Sequence, residues 1–551
     1  MKILALNPPF LPKYSRESRS PAVTKSGTLY YPMWLCYAVG YLEKAGHEVR
    51  LIDAPAEGMS VDDVIASVRD FEPDLAVLDT STPSIYSDVG VGEALRHVFP
   101  DIFVALVGVH VSALPEETLA LSEKVNAVAF GEYDETLVEL ANKLSAYADR
   151  PADADCPPAN TAADPAGADK PPSDTNAGDP AGGEKSSSGN NGFVNSVDDV
   201  LAGIRGLAFR DSAGNIRKNE ARPFIEDLDA IPFVSEVYLK HLDITPYFYG
   251  HSRHPLVVIV TGRGCPFHCT YCVLPQTMQG HKYRKRSIES IVQEFLFIRD
   301  NFPGVREIMI EDDTLTADRK RCRELAEALI ATGGHDIPWS ANSRADVDYD
   351  TMVLMRKAGC RLFCVGYESG EQAILDNIQK SITLEKIAAF TSDARRAGIM
   401  VHGCFMVGNR GETRDTLAKT LRFAKELNPD TAQFYPIMVY PGTSDYEHFS
   451  EQGWIVSRDF RKWLTEDGLH SSVVSNPDLK YEELVAFCDR ARREFYLRPT
   501  YIFAKFKQMF TDPGEAKRII KAGFTFFRYL LFPSIRRKDR KANAKAEARG
   551  C

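Results

Sequence analysis

The chain is 551 residues long, too long for a single core, so two to four domains are expected. Its 44% hydrophobic and 26% charged content describe a globular protein, and a formal net charge of −10 argues against broad nucleic-acid binding. The start, MKILALNPPF, lacks the charged and apolar regions of a signal peptide, and no run of about 18 apolar residues suggests a spanning helix. Eleven cysteines with no secretory signal read as reduced cytosolic thiols.

Residues 1–145 alternate short apolar runs with amphipathic segments. Strands are expected at KILALN (2–7), EVRLID (48–53), LAVLDT (75–80), FVALVGV (103–109) and AVAF (127–130), with helices such as VDDVIASVRDF (61–71) and DETLVELANKL (134–144) between them. Strands separated by helices of this length predict an open, doubly wound α/β domain, Rossmann-like in class. Such folds bind ligands at the carboxyl ends of the strands. Asn7, the run Asp79-Thr80-Ser81-Thr82-Pro83-Ser84, Gly108, His110, Gly131 and Glu132 fall there.

From 146 to 197 the composition collapses into Ala, Asp, Pro, Gly, Ser and Asn, too poor in large apolar residues to offset the entropy of ordering; a disordered insertion is expected. Residues 198–250 hold a hairpin, with its turn at Ala213-Gly214-Asn215, and a connector. A second βα series spans 251–450, with strands at 255–260, 306–310, 339–343, 361–366, 400–407 and 431–439. Six such repeats predict a partly closed (β/α)6 barrel whose chemistry lies at the carboxyl ends of its strands. Residues 451–551 read as a helical region whose aromatic stretch, GFTFFRYLLF, precedes a basic end. A packed terminal helix with a solvated end is expected; peripheral membrane contact is the alternative.

The barrel's first strand runs into TGRGCPFHCTYC (261–272), which carries three cysteines in eight residues. Structural zinc wants four protein ligands, usually in two separated pairs, and here there is no second pair; His268 sits where one tetrahedral centre would be cramped. A [4Fe–4S] cube is usually held by four thiolates. A loop giving only Cys265, Cys269 and Cys272 would leave one iron open toward the barrel cavity. Gly262 and Gly264 suit a backbone that turns tightly beside a ligand.

The spacing C-x3-C-x2-C, with Tyr271 before the last cysteine, resembles the radical S-adenosylmethionine (radical SAM) enzymes. YESG (367–370), GNRGET (408–413) and YPGT (440–443) are similar to further segments of that family, with Arg410 where proline is usual. The resemblance implies an enzyme whose open iron binds S-adenosylmethionine and cleaves it reductively to a 5′-deoxyadenosyl radical. It also implies a reducing partner such as flavodoxin or ferredoxin. It nominates Tyr271, Arg344, Gly366 and Glu368 as S-adenosylmethionine contacts, with an internal ion pair as the alternative for Arg344 or Glu368.

NPP (7–9), YPMWLCYAVGYLEKAGHEVRLID (31–53), PDLAVLDTSTPS (73–84), GVH (108–110) and GEYDE (131–135) resemble the cobalamin-binding domain of one large radical SAM subgroup. That implies a cobalamin contact set of Asn7, Thr80, Ser81, Thr82, Ser84, Gly108, His110, Gly131 and Glu132. The wider pattern's D-x-H-x-x-G is absent, so no lower axial histidine is evident. HPLVVIVTGRGCPFHCTYCVLPQTMQGHKYRKRS (254–287) resembles hopanoid-biosynthesis-associated members. The expected function is modification of a hopanoid-like lipid or other secondary metabolite by methyl transfer or carbon-skeleton rearrangement. A cobalamin-free ring contraction, a methylthiotransferase and a redox sensor are the alternatives. A cytoplasmic enzyme is expected, peripheral on the inner face of the membrane if the tail binds there.

Overall fold

The computed structural model describes residues 1–17, 19–24, 26–149, 196–512, 514–521 and 523. The expected disordered insertion and the aromatic-basic tail lie almost wholly outside the described residues.

Five parallel strands open the fold: β1 (Lys2–Asn7), β2 (Glu48–Asp53), β3 (Leu75–Thr80), β4 (Phe103–Gly108) and β5 (Ala127–Ala129). Their spatial order is β2-β1-β3-β4-β5, a doubly wound sheet with its switch point between β1 and β3. Every residue of β3 is buried, as both faces of a parallel sheet must be when helices cover them. The hairpin β6 (Leu207–Arg210) and β7 (Ile216–Lys218) turns at Gly214 and pairs antiparallel with β5. It therefore extends the first sheet rather than standing apart in a connector, because β6 covers the edge that β5 would otherwise leave unpaired.

The second sheet is parallel and runs in chain order from β8 (Leu256–Ile259). A short antiparallel pair, β9 (Gly262–Arg263) and β10 (Arg284–Lys285), brackets the cysteine loop. Then come β11 (Glu307–Ile310), β12 (Trp339–Ser343), β13 (Cys360–Glu368), β14 (Met400–Val407) and β15 (Thr431–Pro436). Helices between successive strands complete the βα repeats. Ser287 caps the first of them, Ile288–Asn301, and left-handed Gly398 ends the one at Leu384–Ala397. After a short 3-10 turn at Phe460–Trp463, the C-terminal region becomes α-helical only at Tyr481–Tyr496, followed by Pro499–Thr511 and about two turns of helix at 514–521. Residues 470–480, expected to be helical, instead pair through isolated bridges such as Ile455 with Val474.

The helix Met33–Lys44 buries nine of its twelve residues and packs between the two sheets. Tyr31 Oη donates to the Leu256 carbonyl at 2.7 Å and Tyr37 Oη accepts the Val260 amide at 2.9 Å, so the first barrel strand is tied to this helix. Around it, Arg263 donates to Glu132 (2.7 Å) and Asp134 (2.8 Å), and Arg284 donates to the other oxygen of Glu132 (2.7 Å). All four side chains are buried. Removing one member of such a group leaves a charge in low dielectric without its partner. Glu132→Ala is therefore expected to cost about 3–5 kcal/mol. Glu116→Ala, which breaks an exposed pair with Lys218, should cost about 0–1 kcal/mol. Denaturant unfolding followed by tryptophan fluorescence, to which Trp34 beside Arg263 contributes, checks this; equal losses would contradict it.

Candidate functional site

The cysteine loop is held from both flanks. Gly264 has φ +85°, and a Cβ there would run into the Lys282 carbonyl oxygen, so the loop admits only glycine at this turn. Gln276 donates through its side-chain amide to the carbonyls of Cys272 (2.7 Å), Thr270 (3.3 Å) and Cys269 (3.4 Å). Its carbonyl accepts the Ser444 amide at 3.0 Å. The Asp445 amide donates to the Thr270 carbonyl at 3.1 Å. The helix that follows YPGT thus starts against the cysteines. Arg410, in place of the usual proline, pairs with buried Asp445 at 2.5 Å and so braces that same helix start.

None of Cys265, Cys269 and Cys272 is in a disulfide. Burial and the neighbouring Asp313 carboxylate push the Cys265 thiol up to about 11, and the same causes raise Cys272 further. Thiols held this way stay protonated until a cationic group takes them. Nor do the three sulfurs converge on a single-ion position. Among the described residues, the one His/Cys/carboxylate trio with all ligand atoms within 4.8 Å of one another lies elsewhere. Three thiols on one loop that do not meet at a single-ion position fit a polynuclear cluster better than one zinc ion.

Beside the loop, Tyr271 Oη donates to Glu368 Oε1 (2.9 Å), and Lys380 Nζ donates to both Glu368 Oε1 (2.9 Å) and Tyr271 Oη (3.0 Å). Tyr435 Oη reaches Glu368 Oε2 at 3.4 Å. Glu368 closes β13 with φ +62° across a register shift, and a Cβ on Gly366 would strike its carboxylate. Three of the four residues nominated for S-adenosylmethionine therefore meet at one point. The fourth, Arg344, is engaged differently. It lies 3.6 Å over the Phe267 ring, donates to the carbonyls of Lys380 (2.7 Å) and Ser381 (3.3 Å), and forms the internal ion pair considered as its alternative, with Asp346 at 3.4 Å. Lys380 had no sequence signal: it stands in a turn between left-handed Gln379 and Ser381, and only the fold brings it to Glu368. Burial lowers the Lys380 pKa, but Glu368 and Cys269 outweigh that and raise it, so it is a fixed cation.

Opposite, Arg19 from the first unit pairs with Asp313 at 3.2 Å and donates to the Asp312 carbonyl. Asp312 itself is structural, accepting from Thr261 and Tyr283. One carboxylate oxygen each of Glu311 and Asp313 is buried without a hydrogen-bond partner. Unpaired acceptors and two fixed cations beside the thiols suit a zwitterionic ligand with an amine and a carboxylate.

At the carboxyl edge of the first sheet the nominated residues cluster but hold one another. Asn7 donates to Asp53 (2.7 Å) and accepts from Arg16 (2.8 Å); Ser81 bonds Tyr14 and Ser84, and Ser84 donates to Asp88 (2.6 Å). Thr80 donates to the Val107 carbonyl, and Thr82 bonds His110 at 3.1 Å. Burial drives His110 down to about 3, a neutral imidazole, with the Phe460 ring edge-on at 5.1 Å. Gly108 passes so close to Thr80 that a Cβ would lie 2.6 Å from its carbonyl oxygen, and the Gly131 amide is taken by Ser112. Glu132 is committed to Arg263 and Arg284. The edge keeps one vacancy for a polar ligand: Asp79 Oδ2 has no partner, and burial lifts this carboxyl to about 8. The hydroxyl row, the close-passing glycine and that orphaned oxygen fit a large polar ligand in kind.

Comparison with known proteins agrees with this geometry. Residues 259–424 match the Radical SAM superfamily and residues 19–141 match the B12 binding domain. An uncharacterised methyltransferase of Pyrococcus horikoshii is 28% identical over 93% of this chain and 96% of its own length. Cytidylyl-2-hydroxyethylphosphonate methyltransferase of Streptomyces wedmorensis is 24% identical, covering 90% and 93%. The structure of the radical S-adenosylmethionine methyltransferase TsrM from Kitasatospora setae, with cobalamin and a [4Fe–4S] cluster bound, superposes with a TM-score of 0.61 at 16% identity, covering 91% of each chain. The chain is a radical SAM enzyme. More narrowly, it belongs with those that carry a B12-binding domain, and its cofactors are a [4Fe–4S] cluster, S-adenosylmethionine and cobalamin.

The GNRGET turn carries a pH signature. Glu412 is buried, accepts the Gly408 and Asn409 amides, and leaves Oε1 unpaired. Burial outweighs those bonds and lifts it from 4.5 to about 8. The folded protein therefore binds more protons here than the unfolded chain between those values, and this contribution to stability falls as pH rises. Glu412→Gln should flatten the decline in thermal midpoint from pH 5.5 to 8.5, read by calorimetry. An unchanged slope would contradict it.

Proposed function

We propose that the chain transfers a methyl group to an apolar molecule, a hopanoid-like lipid or a secondary metabolite, that enters the barrel from the side of β15. The observation that carries this reading is a cavity of about 360 Å³. At its inner end it meets Tyr30, His402 and Tyr435; at its outer end it meets Ile502, Phe506 and Met509 of the helix Pro499–Thr511. That helix exposes Phe503, Phe506 and Phe510 to solvent, with Phe510 75% exposed. A cavity that carries Lys505 and Arg518 among its apolar groups, beside exposed phenylalanines, suits a largely apolar ligand with a polar end. Methyl transfer is favoured over rearrangement because two relatives matched over more than nine-tenths of their length are named for it.

In this reading Cys265, Cys269 and Cys272 hold the cluster, while Tyr271, Gly366, Glu368 and Lys380 border the S-adenosylmethionine position. The carboxyl edge from Asn7 through Thr80–Ser84 and His110 faces cobalamin. When bound, these groups supply one-electron reduction, sulfonium cleavage and a transferable methyl group. The chain's own part is positional. Gln276 fixes the loop carbonyls, Lys380 and Arg19 set positive charge on two sides of the thiolates, and burial strengthens both effects. Tyr435 and Tyr30 close the lumen around whatever the cavity admits.

Anaerobically reconstituted protein given methyl-deuterated S-adenosylmethionine should place the label in the organic-soluble fraction of a cell extract. Replacing the three cysteines together with alanine should abolish it. Label confined to polar metabolites would overturn the lipid reading, and failure to retain any corrinoid would favour the rearrangement branch. Lys380→Met should weaken S-adenosylmethionine binding roughly tenfold or more while iron content stays unchanged. Undiminished affinity in equilibrium dialysis would remove Lys380 from the site.

A further inference from the structure

One layer below Glu368 the barrel lumen carries a second set of ligating side chains. Cys364 lies on β13, and His402 and Cys404 lie on β14, two residues apart and so on the same face. The strands are in register with Cys364 opposite His402 and Gly366 opposite Cys404, which closes the three residues into a triangle. Both thiols are half-buried and outside any disulfide, and their sulfurs are 4.0 Å apart. One nitrogen of His402 and the two sulfurs all lie within 4.8 Å of one another.

These distances match one kind of occupant. Two thiolates at about 2.3 Å from a tetrahedral zinc ion sit about 3.8 Å apart, close to the spacing already present. A disulfide would require the sulfurs to approach to about 2.05 Å. The second shell is also in place. His402 Nδ1 bonds Thr431 Oγ1 at 2.7 Å, and Gln433 also hydrogen-bonds the ring, so its orientation is fixed by neighbouring side chains. His251 stacks on the same ring at 4.7 Å, and its own Nε2 is buried without a partner. Two thiolates would neutralise a divalent ion, and a soft sulfur–nitrogen set selects zinc over magnesium or calcium.

We propose that Cys364, His402 and Cys404 form a mononuclear zinc-type site, distinct from the cysteine loop, with its fourth position open to the barrel cavity. His402 and His251 both line that cavity together with Gln433 and Tyr435. Three protein ligands and one open position are the pattern of zinc sites that bind a substrate oxygen or water. The ion would therefore hold a hydroxyl or carbonyl oxygen of the molecule that enters from the side of β15. The three ligands are argued from register and side-chain distances, and only the identity of the fourth ligand rests on the proposed function.

The test uses the full chain, loaded with zinc sulfate, dialysed anaerobically and assayed by elemental analysis and zinc-edge X-ray absorption, which reads zinc apart from iron and cobalt. About one equivalent of zinc should be retained, with two sulfurs at about 2.3 Å and nitrogen at about 2.0–2.1 Å. The alanine triple variant of Cys265, Cys269 and Cys272 should retain it equally, which separates this site from the cluster. Cys364→Ser with Cys404→Ser should lose it. His402→Asn, which spares both thiols, should weaken it about tenfold or more. No retained zinc, zinc unaffected by the double variant, or a Cys364–Cys404 disulfide in peptides from zinc-treated protein would each overturn the proposal.

Discussion

Arg263 sits two residues before the first cysteine of the loop, and its guanidinium ties that loop to the other half of the molecule. It lies against Trp34 and Tyr37 and holds Glu132 and Asp134 at the end of β5 and the start of the following helix. Arg284, its neighbour across the β9–β10 ladder, takes the remaining oxygen of Glu132. Both flanks of the cysteine loop are thus bonded to the first sheet through one buried carboxylate. Charges this deep are costly unless every partner is present, so the two units cannot shift against each other without exposing them. The barrel mouth and the carboxyl edge of the first sheet are held facing one another by that requirement.

The same logic recurs around the thiols. Gln276, Asp445 and Arg410 brace the loop from the last βα unit, and Arg344 braces it through Phe267 while holding the turn that carries Lys380. Hydrogen bonds to fixed carbonyls and stacked cations leave the loop little freedom, which is what positioning a reactive cofactor demands. Below this polar layer the lumen turns to sulfur, imidazole and phenol, and the C-terminal helices then contribute Ile502, Phe506 and Met509 together with the cationic Arg492, Lys505 and Arg518.

Much of this was legible in the sequence because its signals are local. Apolar runs bounded by turn residues gave strands such as Lys2–Asn7 and Trp339–Ser343 with their observed limits, and the three-cysteine spacing singled out the loop we propose to hold the cluster. What escaped depends on long-range register. Nothing in the alternation of MVHGCFMV reveals that His402 and Cys404 will face Cys364, since that follows from which strand pairs with which. Lys380 and Arg19 reach the loop from turns with no motif of their own. Glu132 and Arg344 looked like ligand contacts because their positions at strand ends are right, yet buried arginines and carbonyls satisfy them first. The hairpin at 207–218 was recognisable, but its attachment to β5 was not, because edge pairing leaves no mark on composition.

In the function we propose, three thiolates leave one iron for S-adenosylmethionine beside Glu368 and Lys380. The direct measurement is electron–nuclear double resonance on the reduced protein with S-adenosylmethionine labelled with 15N at the amino group and 17O at the carboxylate. Hyperfine coupling from both labels to the cluster is predicted. Its absence, in protein that carries the intact cluster and binds the labelled compound, would contradict the account.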